Sequence, residues 1–170
     1  MSRLDSFLRR LTAQRTLIEA AAAHVAPLDG PIVELGIGNG RTFDHLAALF
    51  PDRKVFAFDE YFHSAVGVLP PAECMVAGDI RDTLPFALPR LGARAALVHN
   101  DLGAGDPSQH AAIASWLAPA IEAVARPDAV VITSFLLPFT RSVTLPLPDG
   151  VKPGRYHLMQ LVPQEGAAQI

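Results

Sequence analysis

Glu34 stands two residues before the first of three alternate glycines, Gly36, Gly38 and Gly40, and the run continues into Arg41 and Thr42. Glycines so spaced let a backbone turn sharply out of a strand and approach a bound molecule closely. If a helix opens after Gly40, its first N–H groups, with that of Asn39, suit a carboxylate or a phosphate. A dinucleotide loop wants glycines at the first, third and sixth places, and the sixth place from Gly36 is Arg41, so a nicotinamide cofactor is disfavoured. Three acids then follow three strand-like runs: Asp59 after Val55–Phe58, Asp79 after Val76–Gly78, and Asp101 after Leu97–Asn100. Asp59 lies 19 residues beyond Gly40, a spacing suited to a carboxylate that accepts from both ribose hydroxyls. Each acid alone could equally cap a helix. Three in succession point to one rim of a sheet.

That rim requires parallel strands. Short β-branched or aromatic runs at 31–35, 54–59, 73–77, 95–99 and 129–134 alternate with Ala- and Leu-rich stretches, the pattern of βα units. Helices are expected at 41–50, 79–88 and 107–125, the last kinked at Pro119, with something short and irregular across 61–69. Leu4, Phe7, Leu8, Leu11, Leu17, Ile18, Ala21 and Val25 recur at helical spacing and predict an amphipathic first helix within 1–28. After Ser134 the chain turns proline-rich, with a turn signal at Pro148, Asp149 and Gly150, and predicts a C-terminal antiparallel hairpin over 136–170. The fold class is α/β: a doubly wound, mostly parallel sheet with helices on both faces, in one domain over 1–170 whose core is 31–135.

Composition narrows the partners. The chain has 170 residues, half of them apolar, with 17 acidic and 14 basic side chains and a net charge of −3. This gives no basic footprint for a nucleic acid. Cys74 is the only cysteine, which leaves no intrachain disulfide and suits a reducing compartment. No apolar run reaches the roughly 18 residues of a membrane span. Asp5, Glu19 and the lack of an apolar leader segment argue against export, so the expected location is cytoplasmic.

The ordered segments resemble the class I S-adenosylmethionine-dependent methyltransferases, most closely their compact bacterial members of undefined substrate. Their first motif, E-x-G-x-G-x-G, is met by Glu34, Gly36, Gly38 and Gly40. The resemblance spans about 31–135 and implies a Rossmann-like fold binding S-adenosylmethionine through Glu34, Gly36, Gly38, Asn39, Gly40, Thr42, Asp59, Glu60, Tyr61, Gly78, Asp79, Ile80, Asn100 and Asp101. Asp59 would bind the ribose, Asp79 the adenine amino group, and Ile80 would pack on the ring. The fourth strand would end beside the sulfonium.

Methyl transfer from a sulfonium asks the protein mainly to align a nucleophile and, where necessary, take its proton. Asp101 is the first candidate for that base and His99 the second, with Tyr61 and His63 also on the rim. The residues after the fourth strand, Asn100, Asp101, Leu102 and Gly103, are not the N/D-P-P-Y/F of amino-methylating enzymes. Cys74 follows Glu73 rather than a proline, which excludes cytosine-C5 chemistry. No metal site is expected, because the fifth strand ends in Thr133, Ser134 and Phe135 without the oxygen ligands of a catechol-type enzyme.

A small-molecule acceptor is the expected partner, walled by the first helix, the 60–71 and 102–108 loops or a second subunit. The proline-rich stretch replaces a helix and should leave apolar sheet bare; with a mean hydropathy of +0.26 this predicts a homo-oligomer. Two other readings remain open: a module that binds the cofactor without catalysis, and an NAD- or nucleotide-binding enzyme. Cofactor binding without methyl consumption distinguishes the first, and preference for NAD the second.

Overall fold

The computed structural model describes residues 2–62, 68–102 and 107–163. Seven strands, β1 (Ile32–Leu35), β2 (Val55–Asp59), β3 (Met75–Ala77), β4 (Ala95–Asn100), β5 (Ala125–Thr133), β6 (Ser142–Thr144) and β7 (His157–Leu161), form one sheet in the order β3-β2-β1-β4-β5-β7-β6. Only β7 runs against its neighbours. Strand order reverses beside β1, between β2 and β4, where a doubly wound sheet opens its crevice. β1 and β4 are buried at every residue, as apolar strands covered on both faces must be.

The helix α1 (Arg3–Val25) starts with a capping box, in which the Ser2 hydroxyl accepts from the Asp5 N–H and Asp5 accepts from the Ser2 N–H. With α2 (Arg41–Leu49) it covers one face of the sheet through Leu17, Ile18, Val25, Phe43 and Leu46. The opposite face is covered by α5 (His110–Val124), through Leu117, Ile121 and Val124, and by two one-turn helices, α3 (Ile80–Thr83) and α4 (Leu88–Leu91). The sheet is therefore the middle of three layers.

Several sequence expectations are corrected. A single helix over 79–88 does not form: Pro85 lacks the N–H that would continue it, so α3 passes into a 3₁₀ turn at Leu84–Phe86 and then α4, stopped by Gly92 at φ +75°. Residues 72–74 are a 3₁₀ turn, which shortens β3. β5 begins at Ala125, four residues earlier than expected, because Ala125 pairs with Ala95 before a register shift. α5 starts at His110, after a 3₁₀ turn at Pro107–Gln109, and holds Pro119 inside it. Most of the irregular segment expected at 61–69 lies outside the described residues.

The C-terminal hairpin forms, with β7 between β5 and β6. Its turn signal falls in a long connection, where the Val151 N–H meets the Pro148 carbonyl and Gly150 has φ +86°. The bare sheet face does not materialise. Leu145, Leu147 and Val151 pack into the core beneath α1 and α2, while Leu137 and Phe139 join the opposite core. Leucines two apart in an extended chain point the same way, so a Leu-Pro-Leu-Pro strip can cover a sheet without a helix.

Candidate active site

The carboxyl end of β1 leads into the glycine loop. Gly36, Gly38 and Gly40 have φ of +84°, +50° and +73°, values that L side chains rarely adopt, which is why glycine occupies these positions. The Gly36 N–H donates to the Phe58 carbonyl and that of Gly40 to Ile37, closing the turn. Gly40 caps α2 without a side chain, so no side chain competes for the first N–H groups of that helix. The space beside Gly38 is open.

Asp59, at the end of β2, clasps the loop. One carboxylate oxygen accepts from the Gly38 N–H at 3.3 Å and the other from the Tyr61 N–H at 3.2 Å. Asp79 accepts from the Arg81 N–H at 2.8 Å, so it is the N-cap of α3, one of the alternatives open from the sequence, and it also faces the cavity.

That cavity, of about 570 Å³, opens above β1, β2 and β4. Its walls bring together Gly36, Gly38, Asn39 and Thr42 of the glycine segment with Asp59, Glu60, Asp79, Ile80 and Asp101. Tyr61, Gly40, Gly78, Glu34, His99 and Asn100 are not on its wall. His63 lies outside the described residues. Tyr61 is 62% exposed.

Glu34, His99 and Asn100 lie beneath the floor instead. Glu34 and His99 are register partners on β1 and β4 and project to the same side. Glu34 accepts from the Thr42 hydroxyl at 2.5 Å, and its other oxygen lies 2.7 Å from His99 Nδ1, with both side chains almost fully buried. Burial pushes the imidazole pKa down, but the Glu34 carboxylate beside it and their hydrogen bond prevail, with Asp101 adding to them, so His99 stands above its ordinary value. The Asn100 amide donates to Thr133 Oγ1 at 3.0 Å and accepts from the Leu102 N–H at 3.1 Å, which shapes the exit of β4. Thr42 is therefore the link between the cavity and the Glu34–His99 pair.

The cavity also holds residues that the sequence analysis passed over. Arg10, Leu11 and Gln14 reach it from α1, Arg41 from α2, and Ile113 and Trp116 from α5. Gln14 continues the apolar spacing of α1 between Leu11 and Ile18, and an amide in that stripe was the available signal. Trp116, the only tryptophan, carries the Arg81 guanidinium 5.1 Å from its ring centroid. Among the described residues no three His, Cys, Asp or Glu side chains gather as a metal would need.

The donor set fits the expected cofactor. Open space beside Gly38, a clasped carboxylate at Asp59 and an apolar patch of Ile80, Ile113 and Trp116 can receive a tail, a ribose and a flat ring respectively.

Comparison with known proteins agrees with this geometry. A family model described as S-adenosyl-L-methionine methyltransferase matches residues 1–160. A crystal structure of an S-adenosyl-L-methionine methyl transferase from Silicibacter pomeroyi DSS-3 is similar at 38% identity, covering 94% of this chain and 98% of that one, with a TM-score of 0.85. The apo structure of CalS11, a TDP-rhamnose 3'-O-methyltransferase of calicheamicin biosynthesis, shares the fold at 20% identity and a TM-score of 0.63, covering 93% and 83% of the two chains. No curated protein matches the sequence. With a glycine loop and three strand-end acids on one cavity, and a family match over nearly its whole length, the chain belongs to the S-adenosyl-L-methionine-dependent methyltransferases of class I.

Proposed function

We propose that the chain methylates a small molecule held at the α1 end of the cavity, with Asp101 as the base. The observation that carries this reading is the meeting of Asp59, Asp79 and Asp101 with the glycine loop on one cavity wall. When bound, adenosylmethionine supplies a methyl group on a positively charged sulfur. Asp59 accepts from the ribose hydroxyls, Asp79 from the adenine amino group, and Ile80 packs on the ring. The N–H groups of the loop and of α2 face the tail carboxylate.

Glu34 acts through Thr42 and His99, not by touching the ligand, and is a positioning residue. His99 shares that role, because its ring is 1% exposed and engaged with Glu34. Gly78, at φ +132°, lets the chain turn from β3 into α3, and Asn100 sets the path from β4 to Asp101. Glu60 borders the ribose side, and Tyr61 takes part through its N–H to Asp59. With the cofactor bound to supply the methyl group, the chain's own part would be to align the acceptor and to take its proton at Asp101.

Calorimetric titration with adenosylmethionine, its demethylated product and NAD tests the site. Saturable binding of the first two, lost in Asp59→Ala, is expected; preference for NAD would sink it. An Asp101→Asn variant should bind the cofactor normally and lose turnover, and unchanged turnover would remove Asp101 as base.

The same reading includes a cytoplasmic setting and a self-associated protein that does not bind nucleic acid. No helix among the described residues is long and apolar enough to cross a membrane. Support for self-association comes from Leu4, Phe7 and Leu8, which are exposed on one side of α1. A monomeric mass independent of concentration in sedimentation would overturn it.

A further inference from the structure

Three polar side chains at the α1 end of the cavity have no acid or hydrogen-bond acceptor for their nitrogens among the described residues. Arg10 and Arg41 come from different helices and converge on one ring, with guanidinium carbons 5.5 and 5.6 Å from the Phe7 centroid. Two guanidinium groups thus share one aromatic ring. Among the described residues neither is in an ion pair, although surface acids pair elsewhere in the chain, as Glu19 with Arg15 and Asp128 with Arg126. Both arginines line the cavity. Beside them Gln14 is 2% exposed, also lines the cavity, and has no hydrogen-bond partner for its Nε2.

A buried amide donor without an acceptor leaves its desolvation uncompensated, and the alternative, an apolar residue, is what the rest of that stripe uses. Two guanidinium groups on one ring also lack a neutralising acid among the described residues. An anion placed among them resolves both. It would accept from the planar guanidinium forks and from the amide, which are donors only at those nitrogens. Asp59 and Asp79, acids of the same cavity, are already engaged: Asp59 is clasped by the loop and Asp79 caps α3.

We infer that the methyl acceptor carries a carboxylate or phosphate, held by Arg10 and Arg41 with Gln14, so that these residues select a small anionic substrate. This rests on the methyltransferase reading of the cavity. The anion anchors one end of the acceptor while its nucleophilic atom faces Asp101, which lines the same cavity. The half-exposed Phe7 ring holds both guanidinium groups by cation–π contact.

The experiment separates the inference from its foundation. The full chain is first titrated calorimetrically with adenosylhomocysteine. Absence of binding overturns the cofactor reading, and the acceptor inference falls with it. The adenosylhomocysteine-saturated protein is then titrated with benzoate and phenyl phosphate, with benzamide as the neutral control. Saturable binding of the anions is expected, at least about tenfold tighter than benzamide, as for charge-assisted hydrogen bonds. Arg10→Ala and Arg41→Ala should each weaken the anions by about tenfold or more, and Gln14→Leu by a few-fold, with adenosylhomocysteine affinity retained. Arg41 is exposed, so Arg41→Glu should fold normally, checked by its melting temperature, and abolish anion binding.

Equal binding of benzamide and benzoate, or no anion binding in the cofactor-saturated protein, overturns the inference while leaving the cofactor site intact. So does a third result. If the arginine variants weaken adenosylhomocysteine but not 5′-methylthioadenosine, which lacks a carboxylate, the guanidinium groups hold the cofactor's own tail.

Discussion

At and beneath the loop end of the cavity two acids are held by other parts of the chain: Asp59 receives two backbone N–H groups, and Glu34, under the floor, is locked between Thr42 and His99. At the α1 end Arg10, Gln14 and Arg41 meet no acid among the described residues. The first region is built from strand ends and main-chain turns whose geometry also stabilises the fold. The second is built from side chains on two helix surfaces. A site for an invariant ligand can be integral to the core, whereas a site for a particular acceptor is added where substitutions leave the fold undisturbed.

Removing a group from each region should therefore have opposite consequences. Glu34→Leu leaves the His99 imidazole buried without its carboxylate and should cost about 3–5 kcal/mol in urea unfolding, whereas replacing both by leucine should restore most of it. The pair also sets a pH dependence. Because the folded pKa of His99 lies above its unfolded value of about 6.5, its stabilisation is complete below that pH and is lost as pH rises through the folded value. The melting temperature of the natural chain should accordingly fall over that window relative to the double variant. Parallel profiles would show that the pair is neutral on both sides of folding.

Next in size, Asp59→Ala should weaken adenosylmethionine by about 30- to 100-fold, the effect of losing charge-assisted hydrogen bonds, measured by calorimetry. An unchanged affinity would remove the distinction between the two ends. Gly38→Ala should cost about 1–2 kcal/mol in stability, because alanine resists a φ of +50°. Space beside it is open, so the cost is conformational and not steric. Smallest of all, Arg41→Ala should change stability by no more than about 0.5 kcal/mol in the same unfolding assay. A larger loss would mean that the α1 end is part of the structural core after all.

Much of the fold was legible because apolar strand runs and glycine turns are local signals. β1, β2 and β4 lie within a residue or so of their expected bounds, and the N-terminal helix is where its spacing put it. The helix over 79–88 failed because periodicity was followed past Pro85, whose missing N–H decides the matter. The bare sheet face failed because coverage was assumed to need a helix. Of the candidate residues, those on the glycine loop and at strand ends were visible as a motif. His99 was visible as a residue near the rim, but its turn into the floor toward Glu34 depends on the β1–β4 register.

The chain's own residues determined the alternation of strands and helices, the left-handed glycine turn and the order of the three acids, since each depends on neighbours a few positions away. Only the tertiary structure decided which side chains share the cavity. Gln14 lies 27 residues before Arg41, and both meet Asp101 at one surface because α1 packs across the sheet beside α2. Such a meeting is set by how two helix faces bury their apolar stripes against strands far away in sequence, a balance of whole surfaces that no local pattern encodes.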